Sequence, residues 1–103
     1  MSSEREFEGS PFVQGAEEEI GYEIDVSEWG DTPSNVTVKI YEWPGGTDKS
    51  ATLLDGSATI SGNIIYLPQI IGLTAEMIYR LEVKFTLADL NIYEPYGYIM
   101  AER

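Results

Sequence analysis

The sequence predicts an all-β fold, and three observations carry the prediction. Apolar and polar residues alternate with a period of two along residues 20–26, 36–40 and 78–87, the pattern of strands with one buried face. Turn-forming residues separate these runs at roughly the eight-to-twelve-residue spacing of β-sandwiches and small barrels. No segment repeats apolar residues at the 3.6 period of a helix, and "LTAEM" (73–77) has at most one helical turn in it.

At 103 residues the chain is long enough for one domain and one core. A hydrophobic fraction of 43% with 12% aromatics is sufficient to offset the conformational entropy of folding, so a compact domain is expected. Residues 1–15 read as an acidic N-terminal arm and residues 16–103 as the domain. Residues 1–19 hold six of the eighteen acids, and Gly9, Pro11 and Gly15 interrupt any periodicity. A solvated tail predicts that residues 1–13 are dispensable for folding. Phe7 and Phe12 stand out there as large apolar residues able to dock on the domain or on a partner.

The strands follow in order. Ile20, Tyr22, Ile24 and Val26 form the apolar face of the first, and Val36, Val38 and Ile40 that of the second. Gly30, Asp31, Pro33 and Asn35 supply the turn between them, and Trp43-Pro44-Gly45-Gly46 ends the second strand at a hairpin tip. In "SATISGNIIYL" (57–67), Gly62-Asn63 fits a tight turn between two β-prone runs. The last two strands are residues 78–87 and about 96–101.

In "GLTAEMIYRLEV" (72–83) a tyrosine stands six places after Leu73, at the mouth of an alternating strand. Tyr79, Leu81, Val83, Phe85 and Leu87 share one face, and Ile78, Arg80, Glu82, Lys84 and Thr86 share the other. A tyrosine first on the buried face must pair its hydroxyl, and the backbone near Leu73 is within reach. This spacing resembles the tyrosine corner of immunoglobulin-like and fibronectin type III sandwiches. The resemblance implies an antiparallel immunoglobulin-like β-sandwich of about seven strands, with Leu73 and Tyr79 as a structural corner. The antibody-type cysteine pair is missing.

A looser resemblance extends over residues 16–103. The order "YEIDVSEW", "VTVKIYEW", "LLDGSATISGNIIYL", "GLTAEMIYRLEVKFT" and "YGYIMAER" is similar to small immunoglobulin-like proteins of tailed-phage and prophage structural gene clusters. That resemblance implies a virion-associated, non-catalytic role in protein assembly and carries over no site residue.

Composition narrows the chemistry. Histidine and cysteine are absent, which removes the commonest general base, thiol nucleophiles, triads and most zinc sites. No Walker or dinucleotide glycine motif occurs, so the expectation is no enzyme, no cofactor and no metal. Oxygen ligands for calcium are concentrated in two loops, Asp25, Glu28 and Asp31 in one and Asp89, Asn91 and Glu94 in the other. Neither has the EF-hand spacing, and solvated loop acids explain both. A net charge of −12 repels phosphate backbones and anionic headgroups, so nucleic acid and membranes are not expected as partners. The acidic N-terminus lacks an apolar leader, and an origin in the cytoplasm is expected. The sequon Asn35-Val36-Thr37 is read as part of a strand.

The aromatic residues are the most informative side chains. Trp29, Tyr41, Trp43, Tyr93, Tyr96 and Tyr98 fall in loops, on the outward face of the second strand or in the last strand. Trp29 is expected to cap an open end of the core, and Tyr96 and Tyr98 share one face and one degree of burial. Trp43, Tyr96 and Tyr98 are therefore the candidate interaction residues. Their partner is a protein or a second copy of the chain, with a glycan stacked on the rings as the alternative. Because the last strand ends the chain and starts after Pro95, it is expected at a sheet edge, open to strand addition.

Overall fold

A computed structural model describes Glu6, Phe7 and residues 9–103. Two sheets enclose one apolar core, in agreement with an all-β reading. The strands are β1 (Phe12–Gly15), β2 (Ile20–Asp25), β3 (Ser34–Trp43), β4 (Leu54–Asp55), β5 (Thr59–Ser61), β6 (Ile64–Ile70), β7 (Ile78–Thr86), β8 (Ile92–Tyr93) and β9 (Tyr96–Glu102), with one short helix, α1 (Ser50–Leu53). The first sheet runs β1-β9-β7-β3, with β8 also on β7; the second runs β2-β6-β4, with β5 also on β6.

The alternation along β7 sets the core. Tyr79, Leu81, Val83 and Phe85 are buried, while Ile78, Arg80, Glu82 and Lys84 turn outward. Across the core, Ile65, Leu67 and Ile70 of β6 face them. Tyr79 is 1% exposed, and its hydroxyl accepts the Thr74 N–H at 2.9 Å. The bond between the Tyr79 hydroxyl and backbone next to Leu73, predicted from their spacing, is thus present, and Leu73 is buried as well. The Gly62-Asn63 hairpin is also present: Ser61 pairs with Ile64, and Gly62 has φ +59°, which a glycine adopts freely at the first turn position.

The last strand departs from expectation. β9 lies between β7, to which it is antiparallel, and β1, to which it is parallel, so it is not an edge strand. Pro95 is accommodated where β8 gives way to β9; its carbonyl accepts the Val83 N–H at 3.0 Å, and no N–H is required of it. The assignment of residues 1–15 to an arm differs from the structure for the same reason. Residues 12–15 are a strand, and the chain before them follows β9 back to a bridge between Glu6 and Tyr96. Phe7 and Phe12 both approach Gly97, where a Cβ would lie 2.9 Å from Phe7 and 3.1 Å from Phe12. A side chain at position 97 would displace both rings. Residues 1–5 and Glu8 of the expected arm lie outside the described residues.

Gln14 explains how β1 is held. It is fully buried, and its carboxamide reaches from the first sheet to the second. Nε2 donates to the Ile70 carbonyl at 2.8 Å and to the Glu18 carbonyl at 3.0 Å, and Oε1 accepts the Tyr22 hydroxyl at 2.9 Å. α1 does a smaller task at the opposite edge: Lys49 N–H donates to the Ile40 carbonyl, and Ser50 Oγ accepts the Ile40 N–H, so this part of the β3 edge is covered.

Three outcomes are expected. Gln14→Ala should cost about 2–4 kcal/mol in urea denaturation, because it leaves a buried carbonyl and a hydroxyl unpaired and opens a cavity; an unchanged midpoint would contradict the clamp. Tyr79→Phe should cost ~0.5–1.5 kcal/mol, since the Thr74 N–H lies near solvent and recovers a water partner. Burial pushes the Tyr22 hydroxyl's pKa up, and the Glu18 carboxylate adds to the shift. The neutral phenol is therefore the form the fold favours. Its stabilisation is complete below the ordinary tyrosine range and is lost as pH rises through the raised value. The stability difference between the native chain and Tyr22→Phe should accordingly shrink at strongly alkaline pH.

Candidate interaction face

The outward face of the first sheet follows from its register as a grid. Trp43 pairs with Ile78, Ile78 with Met100, and Met100 with Val13, which gives one row across four strands. Tyr41, Arg80 and Tyr98 form the next row, and Lys39, Glu82 and Tyr96 the third. Trp43, Tyr96 and Tyr98, the three residues the sequence nominates, are brought together here. The Trp43 and Tyr98 ring centroids are 6.1 Å apart, and Tyr96 meets Tyr98 edge-on at 5.6 Å.

Arg80 stands at the centre of the aromatic group. Its guanidinium lies 4.1 Å from the Tyr96 centroid, 4.8 Å from Trp43 and 5.8 Å from Tyr98. Nε also donates to Glu82 Oε2 at 2.9 Å, and Nη1 to the Tyr98 hydroxyl at 3.2 Å. The planar guanidinium suits both ring faces and a carboxylate, which an ammonium cannot match. Tyr41, one row neighbour, has its hydroxyl pKa raised by burial first and by the Glu82, Asp48 and Glu94 carboxylates second.

Beside this polar-aromatic group the apolar row is open to solvent. Val13 is 56% exposed, Met100 43% and Ile78 40%. Three of the chain's six cations, Lys39, Arg80 and Lys84, belong to this face, although the chain as a whole carries −12. Two of the three are paired with carboxylates, Lys39 with Asp48 at 3.7 Å and Arg80 with Glu82 at 2.9 Å.

Sequence reasoning found the tyrosines and Trp43 but missed Arg80 as their organiser and Val13 as part of the row. Arg80 was legible by parity, as an outward residue of β7; Val13 was hidden in a segment read as an arm. Trp29 packs against Phe85, with centroids 5.9 Å apart, at an end of the core rather than on this face. In the two acidic loops, Asp25 Oδ1 accepts the Ser27 N–H and hydroxyl, which lowers the Asp25 pKa, and Asp89 accepts the Asn91 N–H. Among the described residues no group of three acids is placed to hold a metal ion, and no helix is long and apolar enough to cross a membrane.

Compared with protein-family models and with curated proteins, the chain matches none of either.

If Arg80 organises the rings, Arg80→Ala should cost about 1–2 kcal/mol by the usual worth of cation–π contacts and should alter the near-ultraviolet circular dichroism of the tryptophan and tyrosines. Arg80→Lys should recover only part of either change, because the ammonium loses the stacked geometry. Two variants indistinguishable from the native chain would show that the rings are placed by the strands alone.

Proposed function

We propose that this chain is a non-catalytic immunoglobulin-like module that assembles with protein through the outward face of its first sheet. The observation that carries the reading is the exposed apolar row Val13–Met100–Ile78 running into the Trp43–Tyr98–Tyr96 group. Large rings flanked by exposed aliphatic side chains have the composition of interface hot spots. A second copy of the chain, meeting this face with its own apolar row, is one such partner.

Support for the immunoglobulin-like reading comes from the strand order β1-β9-β7-β3, the parallel β1–β9 pairing and the tyrosine corner. The placement in a phage or prophage virion rests on the order of the strand sequences alone; structural genes of a virion beside the coding gene would support it. The carbohydrate-binding alternative needs open ring faces. Arg80 already lies over Tyr96 and Trp43, so the geometry favours a protein partner.

Light scattering on the native chain and on Met100→Lys at low and high salt tests the reading. Self-association should strengthen as salt screens the net charge, and the added lysine should reduce it without loss of fold. An oligomer untouched by Met100→Lys and by Ile78→Lys would move the interface elsewhere. Binding of a defined sugar on a glycan array, abolished by Trp43→Ala, would establish the carbohydrate reading instead.

A further inference from the structure

One side of the sandwich is closed over only part of its length. At one end Gln14 ties β1 to β2 and β6, and the Phe12 and Tyr22 rings meet with centroids 5.6 Å apart. Before Phe12 the chain keeps to the first sheet: the Phe7 N–H donates to the Tyr96 carbonyl, and Ser10 Oγ accepts the Tyr98 N–H. β2 ends the second sheet, and no described strand pairs with its far edge.

The register shows which groups that edge presents. Ile24 stands opposite Ile65 and Asp25 opposite Ile64, and the Val26 N–H donates to the Asn63 carbonyl at 2.8 Å. Bonded and non-bonded pairs alternate along an antiparallel ladder. Ile24 therefore turns its N–H and C=O toward β6, on the side to which Val26 turns its N–H. Glu23 and Asp25 turn theirs away, toward the open side.

A cleft of about 570 Å³ opens at that edge. Phe7, Tyr22, Ile24 and Trp29 wall it, and the core side chains Leu67 and Leu81 lie at its floor. Glu6, Glu23, Asp25 and Glu28 also border it, and among the described residues no Lys or Arg does. A compact small molecule would fill the apolar part and leave the backbone groups of Glu23 and Asp25 unmet. An added strand meets both needs, because its alternate side chains point inward while its backbone bonds to the edge. Its other side chains would stand on the outer surface beside the exposed carboxylates of Glu23 and Asp25, where opposite charge is favoured in cross-strand pairs.

We propose that β2 accepts a strand donated by a partner protein, with apolar residues at alternate positions entering the cleft and Lys or Arg at the positions between. The proposal rests on the reading of the chain as an interaction module but uses a different surface from the Trp43 face. Its test is accordingly run on the Met100→Lys chain as well as the native one.

The probe is the acetylated, amidated heptapeptide KIKVKIK, followed by calorimetry and by amide chemical shifts. Binding should shift the Glu23 and Asp25 amides in both chains and weaken as salt is raised. It should fall about tenfold or more for the peptide EIEVEIE, whose charge is reversed. Asp25→Pro should bring a similar fall, because it removes an outward N–H and leaves the ladder to β6 intact. KIKVKIK with alternate amides N-methylated gives the same reading without altering the chain, and should bind about tenfold more weakly or worse. The proposal is overturned if KIKVKIK leaves Glu23 and Asp25 unmoved, if EIEVEIE binds equally well, or if N-methylation has no effect. Failure here with Met100-dependent self-association intact would sink strand addition alone.

Discussion

Gln14 carries a carboxamide into a core otherwise built of hydrocarbon and rings, and hydrogen bonds to three separate places make that position tolerable. Among the described residues it is the one polar side chain counted with the buried core. An unpaired amide there would cost several kcal/mol, and its bonds to Ile70, Glu18 and Tyr22 remove that cost in the folded chain. Those partners belong to the second sheet or to the turn leading into it. β1 itself belongs to the first sheet, and the amide thereby fixes how the two sheets meet along one side.

Much of the surface follows from that closure. With β1 in place, β9 has neighbours on both sides and its backbone is spent within the sheet, so recognition by the last strand falls to its outward side chains. Val13 then comes to lie beside Met100, and the apolar row gains its fourth strand. The same closure stops short of β2's far end, where the backbone of Glu23 and Asp25 is left facing the cleft. A face and an edge, each with its own electrostatic character, are consequences of a single side of the sandwich being tied at one end only.

The parts of this fold written in local pattern were legible from sequence. The alternation in β2, β3 and β7, the Gly62-Asn63 turn and the Leu73–Tyr79 spacing each depend on neighbours a few residues away, and each is found. The pairing of β1 was not legible, because its inward residues are Phe12 and Gln14, and the glutamine inverts the expected apolar signal. Its partner carbonyl lies 56 positions away in sequence. α1, four residues long, is too short to carry a helical period. At the interaction face, residue type pointed to Trp43, Tyr96 and Tyr98, but the coincidence of Arg80 with all three is set by the register between β3, β7 and β9. Composition carries no information about register.

Amide hydrogen exchange of the free chain, resolved by residue, tests the half-closed sandwich most directly. Exchange should be slow at Ile24 and Val26, fast at Glu23 and Asp25, and slow at the side-chain amide of Gln14, whose two protons are both bonded in the interior. Uniform protection along β2 would mean that its edge is already covered, and a rapidly exchanging Gln14 side chain would mean that the two sheets are not tied there.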